Sequence, residues 1–430
     1  MPSERAFLIT VQLDPRFSPG RTVWPLADEA QELRELVTSA NCQIVGELSA
    51  KRHQPVAGTF LGGGKLEEIA GAAADSQAQV VVFNQELSPA QQRNIEDALR
   101  VKTIDRTQLI LDIFAQRAKS QEGKVQVELA QLRYLLPRLT GKGVMLSRLG
   151  GGIGTRGPGE QKLEVDRRRI RARLTRLNED LQKLARRRGA TRFRRKETEI
   201  PVAALVGYTN AGKTTLLNRL SGSSAPAKDQ LFTTLDPLAR RIRLPSGETV
   251  VVTDTVGFLH HLPHHLIEAF KATLEEARDA DLLLHVLDVS HPLLSEHASA
   301  VAEVLEELEL KEKPVITVLN KCDRLEGAAS ASDTSPDRLR SLERLYEPGV
   351  AISAKTGEGL DRLCALIARQ LGFLLIEPSR LRLPAERSDL IAAMYQSGQV
   401  LRREESGGTV ELLARVPAKL KAALSAYLLS

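Results

Sequence analysis

The stretch IPVAALVGYTNAGKTTLLNRL, residues 200–220, constrains the fold of this chain more than any other. The apolar run from Val202 to Val206 reads as a buried strand. It enters Gly207, Tyr208, Thr209, Asn210, Ala211, Gly212, Lys213 and Thr214, which fit GxxxxGK[ST], and Thr215 opens a helical run, TLLNRL. A glycine-rich turn between a strand and a helix collects backbone N–H groups that cradle phosphates. Those of Asn210, Gly212 and Lys213 are suited to this. The Lys213 ammonium would reach the β- and γ-phosphates, and the Thr214 hydroxyl would ligate Mg²⁺. This order implies a doubly wound, mostly parallel α/β sheet with its ligand at the carboxyl ends of the strands.

Three more strand ends complete the pattern. TVVVTDTVGF is a Val-rich strand ending in Asp254, Thr255, Val256 and Gly257. The acid can hold the water shell of Mg²⁺, and the glycine N–H can sense a γ-phosphate, the group that hydrolysis removes. PVITVLNKCD ends in Asn320, Lys321, Cys322 and Asp323. The Asp323 carboxylate can accept from both guanine N1–H and the 2-amino group. Adenine offers neither, so the wrong base would leave a buried charge unpaired. Asn320 is placed to tie the base loop to the phosphate loop, and VAISAKTG adds Ser353, Ala354 and Lys355 against the base. The expected ligands are GTP and GDP, with Mg²⁺ as cofactor, and Lys213 and Gly257 act at the reacting phosphate. Ras-like enzymes place a water-orienting glutamine directly after DxxG; here the position is Phe258. An apolar ring cannot orient water, so slow hydrolysis by the isolated protein is expected.

Charge is unevenly distributed. The whole chain carries +6, whereas residues 162–196 alone hold fifteen Lys or Arg against four acids. One segment therefore carries the entire basic excess, and its one-signed, Arg-rich composition suits contact with nucleic acid better than a solvated mixed face would. Val125, Leu129, Leu132, Leu136 and Leu139 precede it at spacings of four and three, and Leu163, Ile170, Leu174, Leu177, Leu181 and Leu184 continue the rhythm. Two such helices predict an antiparallel hairpin. Between them lies SRLGGGIGTRGPGE. Gly152, Gly154 and Gly157 spell GxGxxG, but a leucine heptad rather than a strand precedes them, so a dinucleotide fold is rejected. Arg148, Gly150, Gly151, Gly152, Gly154, Arg156, Gly157 and Gly159 instead read as a hairpin tip whose exposed N–H groups and arginines suit RNA phosphates.

Residues 1–108 alternate strand-like and helix-like runs and predict a small α/β subdomain. FLGGGKLEEIAGAA has no Ser or Thr after Lys65 and reads as a turn opening a helix. The expected organisation is an α/β subdomain over 1–108, a helical hairpin over 109–198, a P-loop domain over 199–372 and a small α/β domain over 373–430. Three distant cysteines give neither a disulfide framework nor zinc spacing, and no apolar run is long enough to span a bilayer. A cytoplasmic monomer without stable membrane association is expected. In His260-His261-Leu-Pro-His264-His265 the proline separates the pairs and no cysteine completes a site, which favours a switch-region or subunit contact over a metal.

DRTQLILDIFAQRAKSQEGKVQVELAQLRYLLPRL, SRLGGGIGTRGPGE and LFTTLDPLARR, with the four nucleotide motifs, resemble the HflX family of ribosome-associated GTPases over nearly the whole chain, least in the last sixty residues. The resemblance implies nucleotide-dependent binding to the large ribosomal subunit, splitting of stalled ribosomes and hydrolysis stimulated there. It implies that the glycine stretch reaches ribosomal RNA near the peptidyl-transferase region. It also implies that Phe232, Thr233 and Thr234 of LFTTLDP form a switch loop. Thr234 matches the threonine that meets Mg²⁺ and the γ-phosphate, and Thr233 competes for that role. Two other readings stand beside it: a GTPase-gated assembly or RNA-binding factor that splits nothing, and a signalling GTPase whose basic hairpin meets anionic lipid.

Overall fold

The computed structural model describes residues 3–17, 24–139, 158–197, 200–223, 231–232, 234–236, 238–245, 247–259, 271–325, 335–372, 379–397, 399–416, 420 and 423–429. The chain divides into two compact units. One holds residues 1–194, 228–236 and 259–273; the other holds 195–227, 237–258 and 274–430. Two short segments that the sequence places inside the P-loop region therefore belong with the N-terminal unit.

The first unit is built on four parallel strands, β1 (Arg5–Leu13), β2 (Gln43–Arg52), β3 (Val80–Phe83) and β4 (Lys102–Ile104), in the order β2-β1-β3-β4. Helices α1 (Leu26–Ser39), α2 (Gly63–Asp75) and α3 (Pro89–Leu99) alternate with them, as the sequence predicts. Phe7, Ile9, Val81, Phe83, Ile95 and Leu99 form much of the core. Ser88 and Gln91 close a capping box at the start of α3. Gly62 caps α2, so the glycine run before Lys65 does open a helix. Past the strand ends, Asn84 joins β1 to α1: its Oδ1 accepts from Val11 N at 2.8 Å and its Nδ2 donates to Glu29 Oε2 at 2.9 Å.

Helices α4 (Arg106–Arg117) and α5 (Gln121–Arg138) follow. The fully buried Asp105 caps α4 through Gln108 N at 2.9 Å. It also accepts from Leu87 N, from the Tyr134 hydroxyl at 2.8 Å and from Arg138 Nη2 at 3.2 Å. A buried carboxylate needs such a ring of donors, and these donors fix the rotation of α5. The helix consequently buries Gln126, Val127, Leu129, Ala130 and Tyr134. Of the leucine seam expected on this helix only Leu129 is buried; Val125, Leu132, Leu136 and Leu139 are half-buried. The polar anchors at Asp105, invisible to hydrophobic periodicity, turn the helix off the heptad face. Helix α6 (Pro158–Glu197) spans 40 residues, about 60 Å at 1.5 Å per residue. Leu177 is buried and Ile170, Leu174, Leu181 and Leu184 are half-buried, while Arg168, Arg169, Arg171 and Arg176 are exposed. Arg173 forks onto Glu128 of α5 at 2.7 and 2.8 Å.

In the second unit the sheet order is β10-β9-β8-β5-β7-β6. The strands are β5 (Val202–Gly207), β6 (Leu238–Arg243), β7 (Thr249–Asp254), β8 (Leu282–Asp288), β9 (Val315–Asn320) and β10 (Gly349–Ala351), all parallel except β6 on β7. The central strands read as continuous apolar runs because both faces are covered. The helices are α7 (Lys213–Ser221), α8 (Lys271–Asp279), α9 (Leu294–Glu307), α10 (Ser335–Leu345) and α11 (Leu360–Gln370). The last part is an antiparallel sheet, β12-β13-β11-β14, of β11 (Ser379–Pro384), β12 (Gln399–Ser406), β13 (Thr409–Arg415) and β14 (Leu428–Leu429), with α12 (Ser388–Ser397). Gly407 and Gly408 both lie at positive φ between paired Ser406 and Thr409, the two-residue turn that dictates a hairpin. No helix among the described residues is long and apolar enough to cross a membrane.

Burial at α1 pushes the Glu29 carboxyl up to about 7, and neighbouring Glu32 adds to the shift against the opposing Arg106 charge. A raised folded-state value means that the neutral form is stabilised. That contribution is complete below the unfolded value near 4.5 and disappears as pH rises through 7. Glu29→Gln keeps an acceptor for Asn84 without the charge. Urea unfolding of the full chain should show the variant more stable than the parent at pH 8, by about 1–3 kcal/mol, and nearly equal to it at pH 4.5.

Candidate nucleotide site

Strand β5 ends in the phosphate loop, and α7 begins at Lys213. Gly212, the cap of α7, sits at φ +96, and a Cβ there would collide with Asn320 Nδ2. Only glycine meets both demands. The Lys213 Nζ donates to Gly207 O at 2.9 Å and to Tyr208 O at 2.8 Å. These carbonyls aim the ammonium across the loop and, among the described residues, leave one of its three donors for a phosphate. Burial holds the ammonium down to about 8, with Asp254 pulling the other way. Behind it, on β8, burial and the Lys213 charge push His285 down to about 4, so this ring stays neutral at physiological pH.

Thr214 Oγ1 donates to Asp254 Oδ2 at 2.7 Å. A hydroxyl and a fully buried carboxylate thus share one spot at the foot of the loop. Hard oxygen donors of this kind, few in number, suit Mg²⁺, which takes most of its ligands from phosphates and water. Among the described residues no group of three or more His, Cys, Asp or Glu could hold an ion unaided. Gly257 closes the other side: a Cβ there would lie 2.8 Å from Thr209 Cα and 3.1 Å from Lys213 Nζ. Its backbone is thus packed closely against the loop and its lysine, with no room for a side chain. The next residue, Phe258, is buried and bridges Tyr208 by backbone bonds, Thr209 N to Phe258 O at 2.8 Å and Phe258 N to Gly207 O at 3.1 Å. This ring is packed structure, not a reactive group.

The base loop is tied to the phosphate loop by one side chain. Asn320 Nδ2 donates to Ala211 O at 2.8 Å, and Asn320 Oδ1 accepts from Ala354 N at 2.9 Å. Ser353 Oγ donates to Asp323 Oδ1 at 2.7 Å and accepts from Thr356 N at 3.1 Å. Lys321, at φ +68, pairs with Asp288 Oδ2 at 2.6 Å. Asp323 is thereby oriented with one oxygen fixed and, among the described residues, the other left for a ligand edge. Lys355 is exposed beside this loop.

The second unit therefore brings together the phosphate loop, Asp254 to Gly257, Asn320, Asp323, Ser353 and Ala354. Phe232 and Thr234 are buried in the first unit instead. Thr233, the histidines from His260 to His265, and Arg148, Gly150, Gly151, Gly152, Gly154, Arg156 and Gly157 lie outside the described residues. Gly159 falls in the first turn of α6. Sequence reasoning missed several participants. Asp288 carries no motif and is identified only by its pairing with Lys321. The Tyr208 ring stacks on His297 of α9, with centroids 3.8 Å apart, and His291 lies 4.2 Å beyond. Asp236 of LFTTLDP stands in plain view in the sequence, but its partners lie more than a hundred residues away.

Four family models match successive parts of the chain. They are a GTP-binding GTPase N-terminal region over residues 27–115, a GTP-binding GTPase middle region over 117–195, a 50S ribosome-binding GTPase domain over 202–321 and an HflX C-terminal domain over 343–428. The chain is 45% identical to the GTPase HflX of Caldanaerobacter subterraneus over 427 residues, 99% of this chain and 94% of that protein. It is 44% identical to that of Escherichia coli over 91% of this chain and 90% of that protein. A solved GTP-binding protein from Sulfolobus solfataricus in complex with GDP is 25% identical, with a TM-score of 0.46 over 86% of this chain and 99% of that one. With its phosphate and base loops joined in one site and relatives of this identity along nearly its full length, the chain belongs to the HflX family of GTPases.

Proposed function

We propose that this chain is a GTP-hydrolysing switch that binds the large ribosomal subunit in its GTP state, splits stalled ribosomes and leaves on hydrolysis. The observation that carries the nucleotide half is the joint from Asn320 to Ala211 and Ala354, with Asp323 oriented by Ser353. It presents a fixed carboxylate to a base whose phosphates occupy the adjoining loop. The ribosomal half rests on the matched 50S ribosome-binding GTPase domain and on the exposed arginines of α6, which suit the phosphates of folded RNA. The tip residues Arg148 to Gly159 are the part assigned to that RNA.

The loop N–H groups and Lys213 bind and orient the phosphates. Thr214 and Thr234 would ligate Mg²⁺, with Asp254 behind its water shell, and the ion when bound would neutralise charge on the β- and γ-oxygens. Gly257 reports the γ-phosphate through its backbone N–H. Phe258, held in backbone pairing, has no polar atom with which to orient water. The missing group must come from the ribosome or from order imposed there. The protein thus works as a timer in the cytoplasm, with hydrolysis slow until it is bound.

Three outcomes follow. Asp323→Asn replaces an acceptor by a donor, so GTP affinity should fall at least about 100-fold while xanthosine triphosphate, with a 2-oxo group, gains; competition binding with both nucleotides measures this. Single-turnover hydrolysis should rise by about 10-fold or more when large subunits are added, and equal rates with and without them would remove the timer reading. In sucrose gradients, intact ribosomes mixed with the protein and a non-hydrolysable GTP analogue should lose their 70S peak, with the protein travelling in the large-subunit fraction. No loss of that peak, with the protein still on the large subunit or on precursor particles, points to an assembly factor instead.

A further inference from the structure

Leu231, Phe232 and Thr234 to Asp236 sit in the sequence between the phosphate loop and β6, yet they are packed into the N-terminal unit. Three of its helices hold them. Leu231 N donates to Ser39 Oγ, at the end of α1, at 3.0 Å. The Phe232 ring meets Phe114 of α4 edge to face, with centroids 4.6 Å apart. Asp236 docks on the start of α5: its Oδ2 accepts from Lys119 N and Ser120 N, both at 2.8 Å, and its Oδ1 accepts from Ser120 Oγ. Ser120 is itself the cap of α5, accepting from Gly123 N at 2.9 Å. The dock is shaped for this carboxylate, because a Cβ on Gly123 would collide with Asp236 Oδ1.

An acid on helix-start donors is favoured both by hydrogen bonding and by the helix dipole. What is unusual is its origin, 116 residues away along the chain. Thr234 lies two residues before Asp236, so at about 3.5 Å per residue the carboxylate confines the threonine to within about 7 Å. We infer that Asp236 is a positioning residue for GTP hydrolysis: its seat on α5 orders the segment that carries the proposed switch threonine, and makes α5 one of the elements that register a change in that segment. This rests on the assignment of Thr234 as the switch threonine in the function proposed above. The seat holds the segment that carries Thr234 and no residue of the phosphate or base loops, so its effect is expected on the step that involves the γ-phosphate. GDP binding does not depend on it.

The test uses the full chain with Asp236→Asn, Gly123→Ala and the double variant, and Lys124→Ala, an exposed position on the same helix, as the control. Asn weakens the three contacts without changing shape. Ala expels the carboxylate while favouring the helix itself. Both single variants should lower kcat for GTP by about 10-fold, with GDP affinity within about twofold of the parent and the melting temperature preserved. The double variant should be no worse than either single one, since both remove the same interaction. Unchanged kcat in both single variants overturns the inference. So does a raised kcat, which would make the seat a brake. If melting falls in one variant, the other decides. Should the parent fail to bind guanine nucleotides, or Thr234→Ala leave hydrolysis intact while Asp236→Asn impairs it, the nucleotide or switch-threonine assignment fails rather than the docking of Asp236.

Discussion

Asn320 lies buried at the end of β9, and its carboxamide bonds to two other strand-end loops, with Nδ2 on Ala211 O and Oδ1 on Ala354 N. Parallel strands fix where loops begin but not where they end, so without a cross-tie the phosphate and base loops would wander independently. The carboxamide sets the distance between the two ends of a nucleotide, and the surrounding sequence is shaped around it. Gly212 is glycine because Asn320 Nδ2 occupies the space of a Cβ. Lys321 adopts a left-handed backbone conformation immediately after it and is held by Asp288. A donor and an acceptor on two separate atoms of one planar group reach both loops at once, whereas an acceptor-only carboxylate would leave Ala211 O unsatisfied in a buried place.

The charges of the site follow the same logic. Lys213 is buried, and burial holds its ammonium down to about 8 while Asp254 pulls the other way. His285 stays neutral behind it. One desolvated cation is thus kept, with a neutral imidazole rather than a second cation behind it. Such a group attracts polyanions more strongly than an exposed lysine, because low dielectric strengthens the attraction.

What was legible in the sequence was what depends on neighbours in sequence. The phosphate loop, the DTVG and NKCD strand ends and the alternating elements of the N-terminal region are local patterns, and the strands and helices lie where the patterns put them. The rotation of α5 was not legible. Its heptad pointed to Leu132 and Leu136, but Tyr134 and Arg138 reach the buried Asp105, and a buried carboxylate outweighs a row of half-covered leucines. The antiparallel C-terminal sheet could have been read from Gly407-Gly408 between two strand-like runs. The seat of Asp236 could not, because nothing near LFTTLDP announces Lys119, Ser120 or Gly123.

That seat has a size suited to a switch. Hydrogen bonds to a charged group are worth about 1.5–3 kcal/mol each when well buried, but Asp236 is half-exposed, and solvent screens the set to a few kcal/mol together at most. Coupling between two sites in a protein commonly amounts to about 1–3 kcal/mol, or 5–150-fold. In the proposed switch role, a much tighter seat would hold the segment that carries Thr234 whatever the phosphate did, and a much weaker one would leave its order to the nucleotide alone. The cap of α5 also lies on the helix that Arg173 ties to α6 through Glu128. On the inference drawn above, a change at the segment that carries Thr234 would pass from a carboxylate to a helix start, and from that helix to α6 through Glu128 and Arg173.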